Sequence, residues 1–197
     1  YVGVYAEQDA ALTLKLWEIF KELLRLENVE AIYELETSLI PILLEMRYKG
    51  VPVDLDKAEK VGKQLKKEEV GILTNIKKEH GVYPDLWAAA SVATVFDRAG
   101  LSYPRSPKLN APSFTSAWLE SHDNKLAKDI GRARKLNKAR TTFIDKMILE
   151  HSVNGRIHGE LHPLRSDTGG TVTGRFSSSN PNLQQVPARH DMIGPLV

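Results

Sequence analysis

Apolar residues recur at helical spacing at Leu12, Leu16, Ile19, Phe20, Leu23 and Leu24, predicting an amphipathic helix over 7–26 after a short strand- or turn-like stub. A second helix is expected over 29–49, with Ile32, Leu35, Leu39, Ile42, Leu43 and Met46 as its buried stripe and Pro41 bending its axis. Gly50 stops it, Val51-Pro-Val53 reads as an extended link, and Asp54 is a good N-cap for the next helix. That helix, over 55–80, is dense in Lys and Glu and keeps one apolar side, Val61, Leu65, Ile72 and Ile76. A helix over 85–99 carries Trp87, Val92, Val95 and Phe96 and closes at Gly100. Three prolines between Ser102 and Pro112 forbid regular structure there. A short helix around 114–121 and a long one over 124–151 follow. After Val153-Asn-Gly155 the period changes to two. Arg156 to His162 reads as a strand, Asp167 to Gly170 as a turn, and Thr171 to Phe176 as a returning strand.

Composition changes this picture little. The 197 residues suit one large or two small domains, and 42% hydrophobic with 26% charged residues is ordinary for a globular protein. A net charge of +2 permits a nucleic-acid partner without demonstrating one, so local charge has to carry that argument. Without cysteine there can be no disulfide, thiolate zinc site or thiol nucleophile. No apolar run reaches the length that crosses a bilayer and no signal peptide is evident, so no membrane partner is expected. The chain starts at Tyr1 and stops after Pro195-Leu-Val197, which reads as an excerpt of a longer polypeptide.

Three segments carry candidate chemistry. On the 124–151 helix, Lys128, Arg132, Lys135 and Lys138 gather on one side, opposite Leu126, Ile130, Ala133, Leu136, Ile144 and Met147. Such a stripe is either a solvated face or a grip on phosphates, which cations hold at long range and without regard to base. Tyr5 and Asp9 lie four residues apart, on one helical face, as a half-buried phenol with a helix-start carboxylate or as part of a metal site. Thr171 to Arg189 gathers hydroxyls, carboxamides, two arginines and two prolines with almost no apolar periodicity. It is a polar surface loop or a row of hydrogen-bonding side chains of fixed reach.

The full pattern of that last stretch is T-x-T-G-R-(hydrophobic)-S-S-x-x-P-N-L-Q-x-(hydrophobic)-P-x-R. It resembles the signature that opens the palm of family A DNA polymerases, the group of bacterial DNA polymerase I and its phage and organellar relatives. Two further segments resemble the same family in the same order. Tyr5-x-x-x-Asp9-x-x-x-Thr13 is similar to the third motif of its proofreading 3′–5′ exonuclease, and E-x-x-x-x-P-x-L-x-x-M-x-x-x-G-V-x-V-D, ending at Asp54, to the base of its thumb. Arg132 to Phe143 is similar to the family's R-x-L-x-K-L-x-S-T-Y, with Lys138-Ala-Arg-Thr in place of K-L-x-S.

The resemblance implies a mostly α fold. Long thumb helices, a helical hairpin with small tip helices, are followed by a β-hairpin and polar loop that begin an α+β palm. The expected domains are the last exonuclease helix over 1–26, the thumb over 27–152 with its tip at about 82–122, and the start of the palm over 153–197. Arg175, Asn182, Gln184 and Gln185 would contact the minor groove of the primer-template, where every correct pair offers an acceptor at nearly the same place. Lys128, Arg132, Lys135, Lys138, Arg140, Thr141, Thr173, Ser177, Ser178 and Arg189 would contact its backbone. The hairpin would bring Arg175 and the polar loop to a common edge. Gln185 stands where many relatives carry Asn and Phe176 where many carry Leu; neither change breaks this chemistry. Asp9, oriented with Tyr5, would bind metal only together with exonuclease carboxylates that the sequence lacks. Also missing are D-Y-S-x-I-E, H-D-E and the fingers helix that two-metal phosphoryl transfer requires.

The implied parent is therefore a Mg2+-dependent, template-directed DNA polymerase that adds dNTPs to a primer 3′ end. These residues would be its DNA-binding part, completed by the rest of palm and fingers and inactive alone. The expected setting is cytoplasmic, in a bacterial nucleoid or phage-infected cell, with an organellar one left open. The competing readings are a non-catalytic helical nucleic-acid-binding module and the remnant of a 3′–5′ exonuclease.

Overall fold

The computed structural model describes residues 2–164, 170–187 and 189–197. They form two compact units, 1–49 with 161–177 and 50–160 with 178–197.

In the first unit, helix α1 (Val2–Leu26) and helix α2 (Glu30–Lys49) form a hairpin. The expected N-terminal stub is helical instead, since nothing from Val4 to Ala6 opposes the helix that follows. Between the helices Asn28 takes φ 56°, while Glu27, Asn28 and Val29 donate back to the carbonyls of Leu23, Arg25 and Leu24 at the end of α1. Trp17 and Tyr33 meet across the seam with ring centroids 5.6 Å apart. The expected buried stripe of α2 is corrected: of its members only Leu43 is buried, and Ile32, Leu35, Ile42 and Met46 are more than half exposed. Leu12, Leu16, Ile19, Phe20 and Leu23 of α1 are exposed as well. Two helices side by side can cover only their seam, so amphipathic faces this wide stay open.

The second unit is built on helix α3 (Leu55–His80), whose bounds match the sequence expectation because both caps do. Asp54 Oδ1 accepts the Lys57 N–H at 2.9 Å, and Gly81 at φ 74° returns its N–H to the Lys77 carbonyl. Helix α4 (Ala89–Arg98) begins four residues later than expected. Asp85 Oδ1 takes the Trp87 N–H at 3.0 Å and Ser91 Oγ takes the Asp85 N–H, an Asx-type turn that holds 85–88 out of the helix and leaves Trp87 exposed. Helix α5 (Ser116–Ser121) starts on a Thr115 cap and helix α6 (Lys125–Lys138) on an Asn124 cap. Around Phe96, the rings of Phe114, Trp118 and Tyr103 lie 5.0, 5.8 and 6.2 Å away and fill one core with Val92, Leu119, Ile130 and Ala133.

Beyond Lys138 the helix does not continue as α. Ala139–Glu150 is a π-helix, whose i→i+5 hydrogen bonds set neighbours five residues apart. Arg140 and Asp145, at that spacing, pair at 2.7 Å, and His151 Nδ1 lies 2.6 Å from the Lys146 carbonyl. A 100° periodicity cannot anticipate such partners. Ile144 and Ile148 of the π-helix join Leu65, Ile157, Ile193 and Leu196 in a second core.

Strands β1 (Val51–Pro52), β2 (Ser152–Val153) and β3 (Arg156–Ile157) form an antiparallel sheet in the order β1-β3-β2. Asn154 and Gly155, with φ 51° and 75°, make the two-residue turn between β2 and β3. The expected strand over 156–162 is broken after Ile157 and resumes as β4 (Glu160–His162). Its returning partner is β5 (Ser177–Ser179), a few residues beyond the expected 171–176, and β4 and β5 form a two-stranded sheet. Thr171 explains the shift: its Oγ1 donates to the Arg175 carbonyl at 2.6 Å around Gly174 at φ 71°, a local turn that competes with a ladder. The turn expected at Asp167 to Gly170 falls mostly outside the described residues.

Candidate nucleic-acid interface

The polar loop after β5 is held by its own side chains. Ser178 is buried; its Oγ donates to the Pro181 carbonyl and accepts the Leu183 N–H, both at 3.4 Å. Leu183–Gln185 is a single 3-10 turn, and Asn182 caps it, Oδ1 accepting the Gln184 N–H at 3.1 Å. A cap needs an acceptor, so the carboxamide of Asn182 turns its oxygen inward and keeps Nδ2 as a donor. Gln184 and Gln185 are exposed on this turn, and Arg189 is exposed beyond it.

Arg175 and Thr173 are exposed within the first unit, where Thr173 Oγ1 lies 3.3 Å from Thr171 Oγ1 and Gly170 gives its N–H to Ser177 Oγ at 2.8 Å.

On α6 the predicted stripe forms: Lys128, Arg132, Lys135 and Lys138 are exposed, over buried Leu126, Ile130 and Ala133. Three of the four face a carboxylate. Lys128 lies 3.5 Å from Asp123, Arg132 3.4 Å from Glu68 and Lys135 2.9 Å from Glu120. One turn earlier Lys125 and Glu79 pair at 2.8 Å, which lowers the Glu79 pKa and raises that of Lys125 through their hydrogen bond and charge. These exposed pairs hold the cations weakly, so phosphates can replace the carboxylates at little cost. Arg140, expected to contact the backbone together with the stripe, is placed differently. It is mostly buried, bonded to Asp145 and 3.6 Å from Glu69, a distance that allows charge attraction but not a hydrogen bond. Thr141 donates to the Asn137 carbonyl at 2.9 Å.

Tyr5 and Asp9 are both exposed on α1. Among the described residues no group of three or more His, Asp or Glu side chains that could hold a metal ion converges. No helix among the described residues is long and apolar enough to cross a membrane.

The sequence profile of DNA polymerase family A matches residues 55–194, well over half of the chain. The chain belongs to that family. Family A relatives include a DNA-directed DNA polymerase of Pseudomonas phage M6, 33% identical over 97% of this chain and 30% of its own length. DNA polymerase DpoZ of Vibrio phage phiVC8 is 30% identical over 100% of this chain and 32% of its own. The chain thus spans about a third of the length of these relatives. Among solved structures, the POL domain of Pol1 from M. smegmatis, in complex with DNA primer-template and dNTP, superposes with a TM-score of 0.63. That likeness covers 80% of this chain and 27% of the other at 22% identity, and shows a shared fold.

Two features of this family A chain escaped the sequence reading. One is the set of carboxylates facing the stripe: Glu68 sits 64 residues before Arg132, out of reach of any helical spacing rule. The other is Glu160, whose Oε2 accepts from Ser179 Oγ at 3.3 Å and from Asn180 Nδ2 at 3.0 Å. Its only sequence signal is a carboxylate in a period-two strand beside Gly159.

Proposed function

We propose that this chain is the DNA-binding part of a template-directed DNA polymerase, the thumb and the proximal palm, preceded by the last helix of a 3′–5′ exonuclease domain. In this reading 1–26 is exonuclease, 27–152 thumb and 153–197 palm. The thumb grips the primer-template backbone with Lys128, Arg132, Lys135 and Lys138, while Arg140 and Thr141 act from the π-helix that follows. Thr173, Ser177 and Arg189 attend the backbone near the primer end, whereas Ser178, expected to join them, is buried and holds the loop from within. Arg175, Asn182, Gln184 and Gln185 sense the minor groove. Nucleotide addition from dNTPs with Mg2+ needs carboxylates from the motifs that these 197 residues lack.

The observation that carries the reading is the Asn182 cap. With Oδ1 engaged by the Gln184 N–H, Asn182 keeps its Nδ2 donors for the duplex, and the minor groove offers an acceptor at every base pair. A donor of fixed position tests pair geometry without reading sequence. The family match and the polymerase names of the relatives support the same conclusion.

The test is single-nucleotide extension and duplex binding by the full-length polymerase. Asn182→Ser keeps a capping oxygen but removes the Nδ2 donor, leaving only a shorter hydroxyl that does not reach as far. Arg175→Ala removes the long planar donor. Each slows extension much more than it weakens duplex binding; equal loss in both would sink the sensing role. Asp9→Ala should abolish proofreading and spare extension.

A further inference from the structure

We infer that Glu160 is a positioning residue for the groove-sensing loop, acting through Ser179 and Asn180 on Asn182, Gln184 and Gln185. The inference rests on the reading that this loop meets the duplex. Its physical basis lies within one compact unit.

The loop has no core of its own. Only Ser178 and Pro181 are buried between Ser178 and Gln185, and a single 3-10 turn gives little rigidity. Leu183 packs against the second core, and the rest of the loop is fixed by the chain entering β4. Gly159 lies so close that an added Cβ would sit 3.0 Å from the Pro181 carbonyl oxygen and 3.0 Å from Leu183 Cδ1. The Pro181 carbonyl and the Leu183 side chain are therefore laid directly on the glycine. One residue on, the Glu160 carboxylate takes the Ser179 hydroxyl and the Asn180 amide on the same oxygen. A carboxylate accepts such bonds more strongly than a neutral group does. Asn180 adopts φ 50°, a left-handed conformation that asparagine tolerates best when its side chain is bonded nearby. Glycine contact and carboxylate clamp together set the height and register of the loop. Asn182 follows Asn180 by two residues, so a shift at the clamp moves the proposed donor directly.

The consequence is for rate rather than affinity. Phosphate contacts along the thumb hold the duplex, whereas the loop has only to be in register when the primer end is tested. Displacement of a positioning group by about 1 Å can slow chemistry by on the order of a hundredfold.

Single-turnover nucleotide addition by the full-length polymerase tests this, with duplex binding and melting temperature measured alongside. Glu160→Ala lowers the maximal rate by about tenfold or more, leaves duplex binding nearly unchanged, and reduces the preference for a matched over a mispaired primer end. Glu160→Gln, whose amide oxygen still accepts from Ser179 or Asn180, recovers most of the rate. Should Glu160→Ala fail to fold, Asn180→Ala removes the same bond from the exposed side and shows the same split. The inference is overturned if rate, affinity and melting temperature all fall together, or if the rate does not change. When Arg175→Ala and Asn182→Ser slow extension and Glu160→Ala does not, only the positioning role is lost. When none of the three slows it, the loop's meeting with the duplex is lost as well.

Discussion

Arg134 donates an Nη1 hydrogen to the carbonyl oxygen of Phe114 at 2.6 Å, tying helix α6 to the proline-rich segment before α5. Its Nε donates to the Leu86 carbonyl at 2.7 Å, and the guanidinium lies 5.5 Å from the Trp87 ring centroid. Burial lowers its pKa, but a guanidinium starts so far above neutrality that it keeps its charge at any ordinary pH.

Replacing Arg134 by Met should therefore cost about 2–4 kcal/mol, because two half-buried carbonyls lose charged donors. Arg134→Lys should recover less than half, since an ammonium has no planar fork. Urea unfolding followed by tryptophan emission measures both. A loss under about 0.5 kcal/mol would show that these bonds are replaced by water.

Gly50 is the next sensitive point. At φ 64° an added Cβ would meet the Ile157 carbonyl oxygen at 2.8 Å and the His158 ring at 2.8 Å. Gly50→Ala adds left-handed strain to a backbone clash, and a loss of about 1–3 kcal/mol is expected. Thermal unfolding that matches the wild type would show that β1 and β3 can separate freely.

Lys125 and Glu79 give a pH signature. The lowered Glu79 pKa contributes stability that is present above its ordinary 4.5 and lost as pH falls through the folded value. The raised Lys125 pKa contributes stability that is complete below 10.5 and lost as pH rises through the folded value. A Lys125–Glu79 double-mutant cycle should thus show a small coupling on the plateau between these limits, fading toward both. Both groups are exposed, so added salt should shrink it. A coupling that persists at pH 2 would contradict the pairing.

The stripe should respond in two directions. In the full-length polymerase, replacing Lys128, Arg132 and Lys135 by Gln weakens duplex binding and flattens its salt dependence, by less than about 0.9 per residue because each already holds a carboxylate. Glu68→Gln and Glu120→Gln should tighten binding by freeing Arg132 and Lys135. Glu59→Gln, paired instead with Lys63 on α3, is the control and should change it less. Equal gains at all three sites would mean that net charge alone is acting.

Local chemistry made much of this chain legible in advance. The bounds of α3, the Gly50, Gly81 and Gly100 stops and the Asn154-Gly155 turn follow from caps and left-handed glycines, which act within a few residues. The apolar side of α6 follows from its periodicity, and membership of the polymerase family from an ordered run of fixed letters. Other features required the tertiary structure. Which apolar faces are covered depends on neighbours, so α1 and α2 show the right period with open faces. Arg140 faces Glu69 and Asp145 instead of solvent because it lies in the π-helix, where Asp145 is five residues on. Glu68 reaches Arg132, and Glu160 reaches Ser179 and Asn180, only because packing brings distant segments together. A spacing rule sees neighbours along the chain, whereas hydrogen bonds and ion pairs form between neighbours in space.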